Sequence, residues 1–145
     1  AGLTTAHASS IPVAVAVHAA VDAGRLSPLA DAPPPLALVR ANGAMRTFSD
    51  ALTKQSTGLP AVALVLVEAH LWGRIVPGSS GTRFEAHAVG PAGGDVIVVT
   101  GEPALRGLLD GRISWNAAVA AGLVVVDGPP GDRERIARAL AEQFS

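Results

Sequence analysis

Cysteine and tyrosine are absent from the 145 residues, and three Phe with two Trp make up the whole aromatic content. Without cysteine there is no disulfide framework, no thiolate metal site and no thiol nucleophile. Charge of either sign is also missing as a bulk feature: 11 basic residues stand against 12 acidic ones, for a net charge of −1. That balance gives no electrostatic footprint for a nucleic-acid backbone or an anionic membrane surface. Long apolar runs are lacking as well. "IPVAVAVHAAV", residues 11–21, falls short of the roughly 20 apolar residues of a membrane span. It matches a signal-peptide core in length, but no Lys or Arg precedes it, as a secretory signal requires. The reading is cytoplasmic, and the opening Ala1 fits initiator removal, a matured secreted form or a fragment alike.

What is abundant is small and aliphatic. The apolar share is 49% and is supplied by Ala, Val and Leu, so a core built from such pieces has room for a ligand. The length suits one domain with an extension. The extension is placed at residues 1–35, ending in the proline cluster "DAPPPL", which favours an extended segment. The domain then covers residues 36–145. Within the extension, the alternation from Val13 to Val17 suits a strand, whereas the alanines from His18 to Ala23 suit a helix ended by Gly24. Both readings stay open.

In the domain, Met45, Phe48 and Leu52 recur at helical spacing within residues 44–57, before Gly58 and Pro60. "AVALVLVEAHLWGRIV", residues 61–76, reads as one long strand or a bent strand pair, closed by the turn "PGSSG". "TRFEAHAV" and "DVIVVT" follow as further strands around the turn "GPAGG", and an antiparallel meander is the economical arrangement. The period then changes. In "EPALRGLLDG" Pro103 suits the first helical position, Leu105, Leu108 and Leu109 form one face, and Gly111 supplies a left-handed stop. Ser114 caps a second short helix, Trp115 to Ala121, ended by Gly122, and "LVVVDG" returns to the sheet. Finally Asp132 is expected to cap "RERIARALAEQF", with Ile136, Leu140 and Phe144 on one face and a Glu134–Arg138 pair on the other. The fold class is α+β: an antiparallel or mixed sheet, a meander plus a returning strand, covered on one face by helices.

The order "RFEAHAV", "DVIVVTGEPALRGLLDGR", "SWNAAVAAGLVVVDGP" and "RERIARAL" resembles the sterol-carrier-protein-2-like domains over residues 60–144. "LLDGRISWNAAVAAGLVVVDGP" is most similar to the version fused behind winged-helix regulators, although residues 1–60 lack the basic recognition helix of such a regulator. The resemblance implies helices over a mixed sheet that encloses an apolar tunnel for fatty-acyl or sterol-like ligands. The implied role is a carrier or sensory module without catalysis or cofactor. The alternative is an accessory subunit that reuses the fold, associating with a partner protein or a second copy through residues 1–60.

Ligand-lining candidates are Trp72, Phe84, Leu105, Leu108, Arg112 and Trp115. The tryptophans line a pocket or fill the core. Arg112, just after the Gly111 stop, is placed to bind a ligand carboxylate at the tunnel mouth. "EAH" occurs twice, at Glu68–His70 and Glu85–His87, and two His with two Glu on neighbouring strands suit zinc. His70 and His87 are therefore the weak metal candidates. If Val76 pairs with Thr82 they fall on opposite faces, and a one-residue slip brings them together. No nucleophile is set beside a base, and neither "GPAGG" nor "GPPGD" ends in the Lys-Ser/Thr of a phosphate loop.

Overall fold

Two continuous apolar runs form the middle of a single sheet. The computed structural model describes residues 8–55, 59–68, 71–76, 83–88 and 90–145, without the side chains of residues 55 and 87. Its elements are α1 (Ser10–Asp22), α2 (Pro34–Gln55), β1 (Val62–Leu66), β2 (Leu71–Val76), β3 (Arg83–Ala88), β4 (Val96–Thr100), α3 (Glu102–Leu109), α4 (Trp115–Ala120), β5 (Val124–Asp127) and α5 (Pro130–Gln143). The strand order is β3-β2-β1-β4-β5. The fold is therefore α+β with a five-stranded mixed sheet.

The chain from 61 to 76 is the bent pair, β1 with β2, in antiparallel register from Val62↔Ile75 to Leu66↔Leu71. The meander continues into β3 but stops there. "VIVVT" was expected to extend it and instead crosses to the far side of β1, pairing parallel from Val62↔Val96 to Leu66↔Thr100. The physical reason lies in the burial. All five residues of β1 are buried, as are all but Ile97 of β4. Strands that hide both faces belong at the centre of a sheet, next to each other. Helices were expected over one face; at β1 both faces are closed. Met45 of α2 approaches Gly73 on the Leu64 side, and α1 packs against β4. β5 completes the sheet antiparallel to β4, from Thr100↔Val124 to Ile97↔Asp127.

The β2–β3 register differs from the Val76–Thr82 pairing considered above. Val76 lies opposite Arg83, and a further irregularity between Trp72 and Arg74 sets Trp72 opposite Ala88. His70 and the side chain of His87 lie outside the described residues.

The open question over Val13–Val17 resolves as helix: Ser10, Val13, Val17 and Ala20 are the buried residues of α1, at steps of three and four. Val13, Val17 and Ala20, together with Leu26, belong to the same buried cluster as the strands, so residues ahead of the triproline share the core with those behind it. The triproline itself does not stay extended. Pro34 and Pro35 open α2, where a missing N–H costs nothing, and Ala37 N–H bonds to Pro33 O at 2.9 Å. Likewise Asp132 is not the cap of α5. Pro129 and Pro130 start that helix, which places Asp132 inside its first turn, where a carboxylate favours the helix dipole. Asp132 is 3.8 Å from Arg135 in place of the expected Glu134–Arg138 pair. Phe48 of α2 stacks on Phe144 with ring centroids 5.7 Å apart, fastening α2 to the end of α5.

Candidate functional site: an aliphatic groove beside the last strand

The stretch from Ser114 to Gly128 builds the groove. Ser114 Oγ accepts from Ala117 N–H at 3.2 Å and starts α4. Gly111 and Gly122 adopt left-handed φ values of 74° and 75°, which only glycine takes without strain, so α3 and α4 both end sharply. Thr100 Oγ1 then donates to Leu123 O at 2.9 Å, locking the entry of β5 onto β4. Gly128 N–H donates to Asp127 Oδ1 at 2.8 Å, and the two prolines turn the chain into α5. Ile136 and Leu140 point α5 into the core. Its flank presents Ala137 and Ala141 instead.

That flank, the outer part of α4 and β5 enclose a groove of about 740 Å³, lined by Trp115, Val119, Val124, Val125, Val126, Ala137 and Ala141 among others. The space follows from side-chain size: Ala137 and Ala141 stand where longer residues would reach the valines. Val119 is 47% exposed, an aliphatic side chain left facing solvent at the groove. Arg133, Glu134 and Arg138 also line it. The volume and lining are those of a small-molecule site, apolar walls with a few polar groups at the edge.

The six residues singled out from sequence scatter. Trp115 lines the groove while remaining 3% exposed, so it is both core and wall. Trp72 and Leu105 are sealed in the core. Leu108 is buried beside a separate cavity of about 310 Å³ with Ile113 and Phe144. Phe84 is half-buried on β3, its ring 5.1 Å from the Arg46 guanidinium. Arg112 is exposed, and its Nη1 donates to Ser27 Oγ in another cleft. The structure thus unites Trp115 with residues that sequence reasoning passed over, namely Val119, Val124–Val126, Ala137 and Ala141. The signal for the alanines was their i, i+4 spacing on α5 next to the buried Ile136 and Leu140. Among the described residues, no group of three His, Cys, Asp or Glu has an arrangement to hold a metal ion, and no helix is long and apolar enough to cross a membrane.

Fold and groove define the class: an α+β domain whose mixed sheet carries an aliphatic groove at one edge. No protein-family model and no curated protein matches the chain. Among solved structures, a double mutant of the sec-alkyl sulfatase PisA1 is similar over 61% of this chain and 14% of its own, with 16% identity and a TM-score of 0.49. The stereoselective inverting sec-alkylsulfatase Pisa1 from Pseudomonas sp. is similar over 63% of this chain and 14% of its own, at 14% identity and a TM-score of 0.45. This chain therefore spans a small part of the sulfatases. A conserved hypothetical protein from Thermus thermophilus, described as a possible sterol carrier protein, is similar over 72% of this chain and 81% of its own, at 17% identity and a TM-score of 0.36.

Proposed function

We propose that this protein binds an apolar small molecule, of the fatty-acyl or sterol-like class, in the groove between α4, β5 and α5, without catalysing its conversion. The observation that carries the reading is the aliphatic lining of a space of about 740 Å³. Filling it with a hydrocarbon chain would remove Val119, Val125 and Val126 from water at roughly 25 cal/mol per Å² of apolar surface. The sequence resemblance to sterol-carrier-protein-2-like domains points to the same ligand class. The test is titration of delipidated protein with a fluorescent fatty acid, repeated on Ala137→Trp, which fills the groove from the α5 side. Saturable uptake that weakens at least about tenfold, or about 1.4 kcal/mol, in the variant is expected. Absence of uptake, or equal affinity in a folded Ala137→Trp protein, sinks the reading.

A second reading, association through residues 1–60, is favoured by exposed aliphatics on the first two helices. Ile11 and Val15 on α1 are 77% and 64% exposed, and Leu36 and Val39 on α2 are 62% and 69% exposed. Concentration-dependent sedimentation that is abolished by Val15→Glu is the expected behaviour. A monomer at all concentrations, with no partner retained on purification, removes that reading.

A further inference from the structure

We propose that a second cleft, distinct from the aliphatic groove, is a binding site for an oxyanion carried on a small body, a phosphate or carboxylate group. The cleft, of about 260 Å³, lies between the 27–30 segment, α2 and α3, and is lined by Arg40, Arg106, Arg112 and the single acidic residue Asp110. Three of the 11 basic residues of a chain with net charge −1 converge here, so the cationic character is local.

Two of the three guanidiniums are held in place from behind. Glu102, buried at the start of α3, accepts from Arg40 Nε and from Arg106 Nε through the same Oε2, each at 2.9 Å. Arg40 Nη1 also donates to Ala30 O at 2.6 Å, and Arg106 Nη2 to Arg40 O at 3.3 Å. One carboxylate thus orients two cations, and Glu68 on the far side is engaged with the first amide of α3 at 2.8 Å. Arg112 comes from beyond α3, and its hydrogen-bond partner among the described residues is an uncharged hydroxyl, that of Ser27.

These bonds leave Arg40 Nη2, Arg106 Nη1 and both Nε and Nη2 of Arg112 without a partner among the described residues. An ion-pair staple between α2 and α3 needs Glu102 and its two arginines. It does not need a third arginine across the cavity that bonds no carboxylate among the described residues. Planar guanidiniums with spare N–H groups bind carboxylate and phosphate oxygens with directional, charge-assisted bonds. Pro28, Leu29 and Pro103 supply apolar wall for a compact organic body, and the volume excludes a long chain.

The test uses the full chain and inorganic phosphate at constant ionic strength, followed by amide and arginine Nε–H chemical shifts. Saturable shifts at Gly107, Arg106 and Arg112, with half-saturation below about 10 mM, are expected. Arg112→Gln, at an exposed side chain that pairs with no carboxylate among the described residues, should weaken phosphate at least about fivefold. Succinate in place of phosphate reports the carboxylate form, and vesicles containing phosphatidic acid report a lipid headgroup as the source. Phosphate shifts without vesicle binding assign a soluble ligand, whereas Arg112-dependent vesicle binding assigns a lipid one. Absence of saturable shifts with both phosphate and succinate, or shifts that survive Arg112→Gln and Arg106→Gln unchanged, overturns the proposal. Because the aliphatic groove is untouched by these variants, fatty-acid uptake stays as in the parent protein and reports on the other site independently.

Discussion

The two sides of the sheet are closed by different chemistries. On the β3 side, Arg74 and Arg83 each bond Glu85 at 3.0 Å, and Arg74, on β2, reaches inward past β1 to make a bidentate pair at 2.8 and 2.9 Å with Asp95, the residue ahead of β4. Arg46 covers Phe84 on β3. Charges and a cation–π contact occupy that side, which also blunts its edge against strand-to-strand association. At the β5 edge the lining is mainly alanines and valines that do not meet, with Trp115, Arg133, Glu134 and Arg138 also on it. Long ionic side chains reach across gaps to find partners, whereas short aliphatic ones have no reach, so the same sheet leaves a cavity at one side. The proposed binding of an apolar molecule uses the side where packing is incomplete.

The most disruptive way to probe this contrast is Trp115→Ala. It removes the largest side chain of the β5 edge, 3% exposed, at the point where Trp115 N–H holds Phe144 O at 2.8 Å. The expected loss is about 3–5 kcal/mol of stability, read by chemical denaturation, with a fall in fatty-acid affinity as the groove loses a wall. Lost stability with unchanged affinity assigns Trp115 to the core alone and moves the ligand towards Val119 and Val125.

The segment around this tryptophan was also the most legible part of the chain. Pro103, Gly111, Ser114 and Gly122 mark helix ends by local backbone chemistry, and each does what its side chain or lack of one requires. Strand order was not legible in the same way. "VALVL" and "VIVVT" are both free of alternation, which identifies central strands, but their pairing depends on a connection that passes the β2–β1 hairpin. The clamp that secures it, Arg74 with Asp95, joins residues 21 apart in sequence, beyond any local pattern. Ala63, opposite Arg74 on β1, is small enough to let that side chain pass. The groove was missed for a related reason: it is made by what α5 omits, and two alanines among the ordinary alanines of a helix carry no mark until Val125 and Val126 are seen across from them.

A smaller effect is expected from Asp95→Asn, which breaks the clamp between β2 and the start of β4. Burial pushes the Asp95 carboxyl up, but the bonds from Arg74 and Ala92 N–H outweigh it and hold the group below its ordinary value. The bond to Asp95, with that to Glu85, pushes Arg74 up, so it stays cationic. A carboxyl depressed in the folded state contributes stability that is complete above its unfolded value, near pH 3.9, and that is lost as pH falls through the folded one. Asp95→Asn keeps the shape and an acceptor but removes the charge. With Arg74 19% exposed, water takes up part of the loss, so the cost is nearer about 2 kcal/mol than the 3–5 kcal/mol of a sealed pair. Denaturation curves should show that difference at neutral pH and a narrowing gap between the two proteins below about pH 4, as the parent carboxyl takes up its proton. A gap that stays constant down to acid pH would mean that the clamp acts through shape and not charge, and the two sides of the sheet would then differ less in chemistry than in packing.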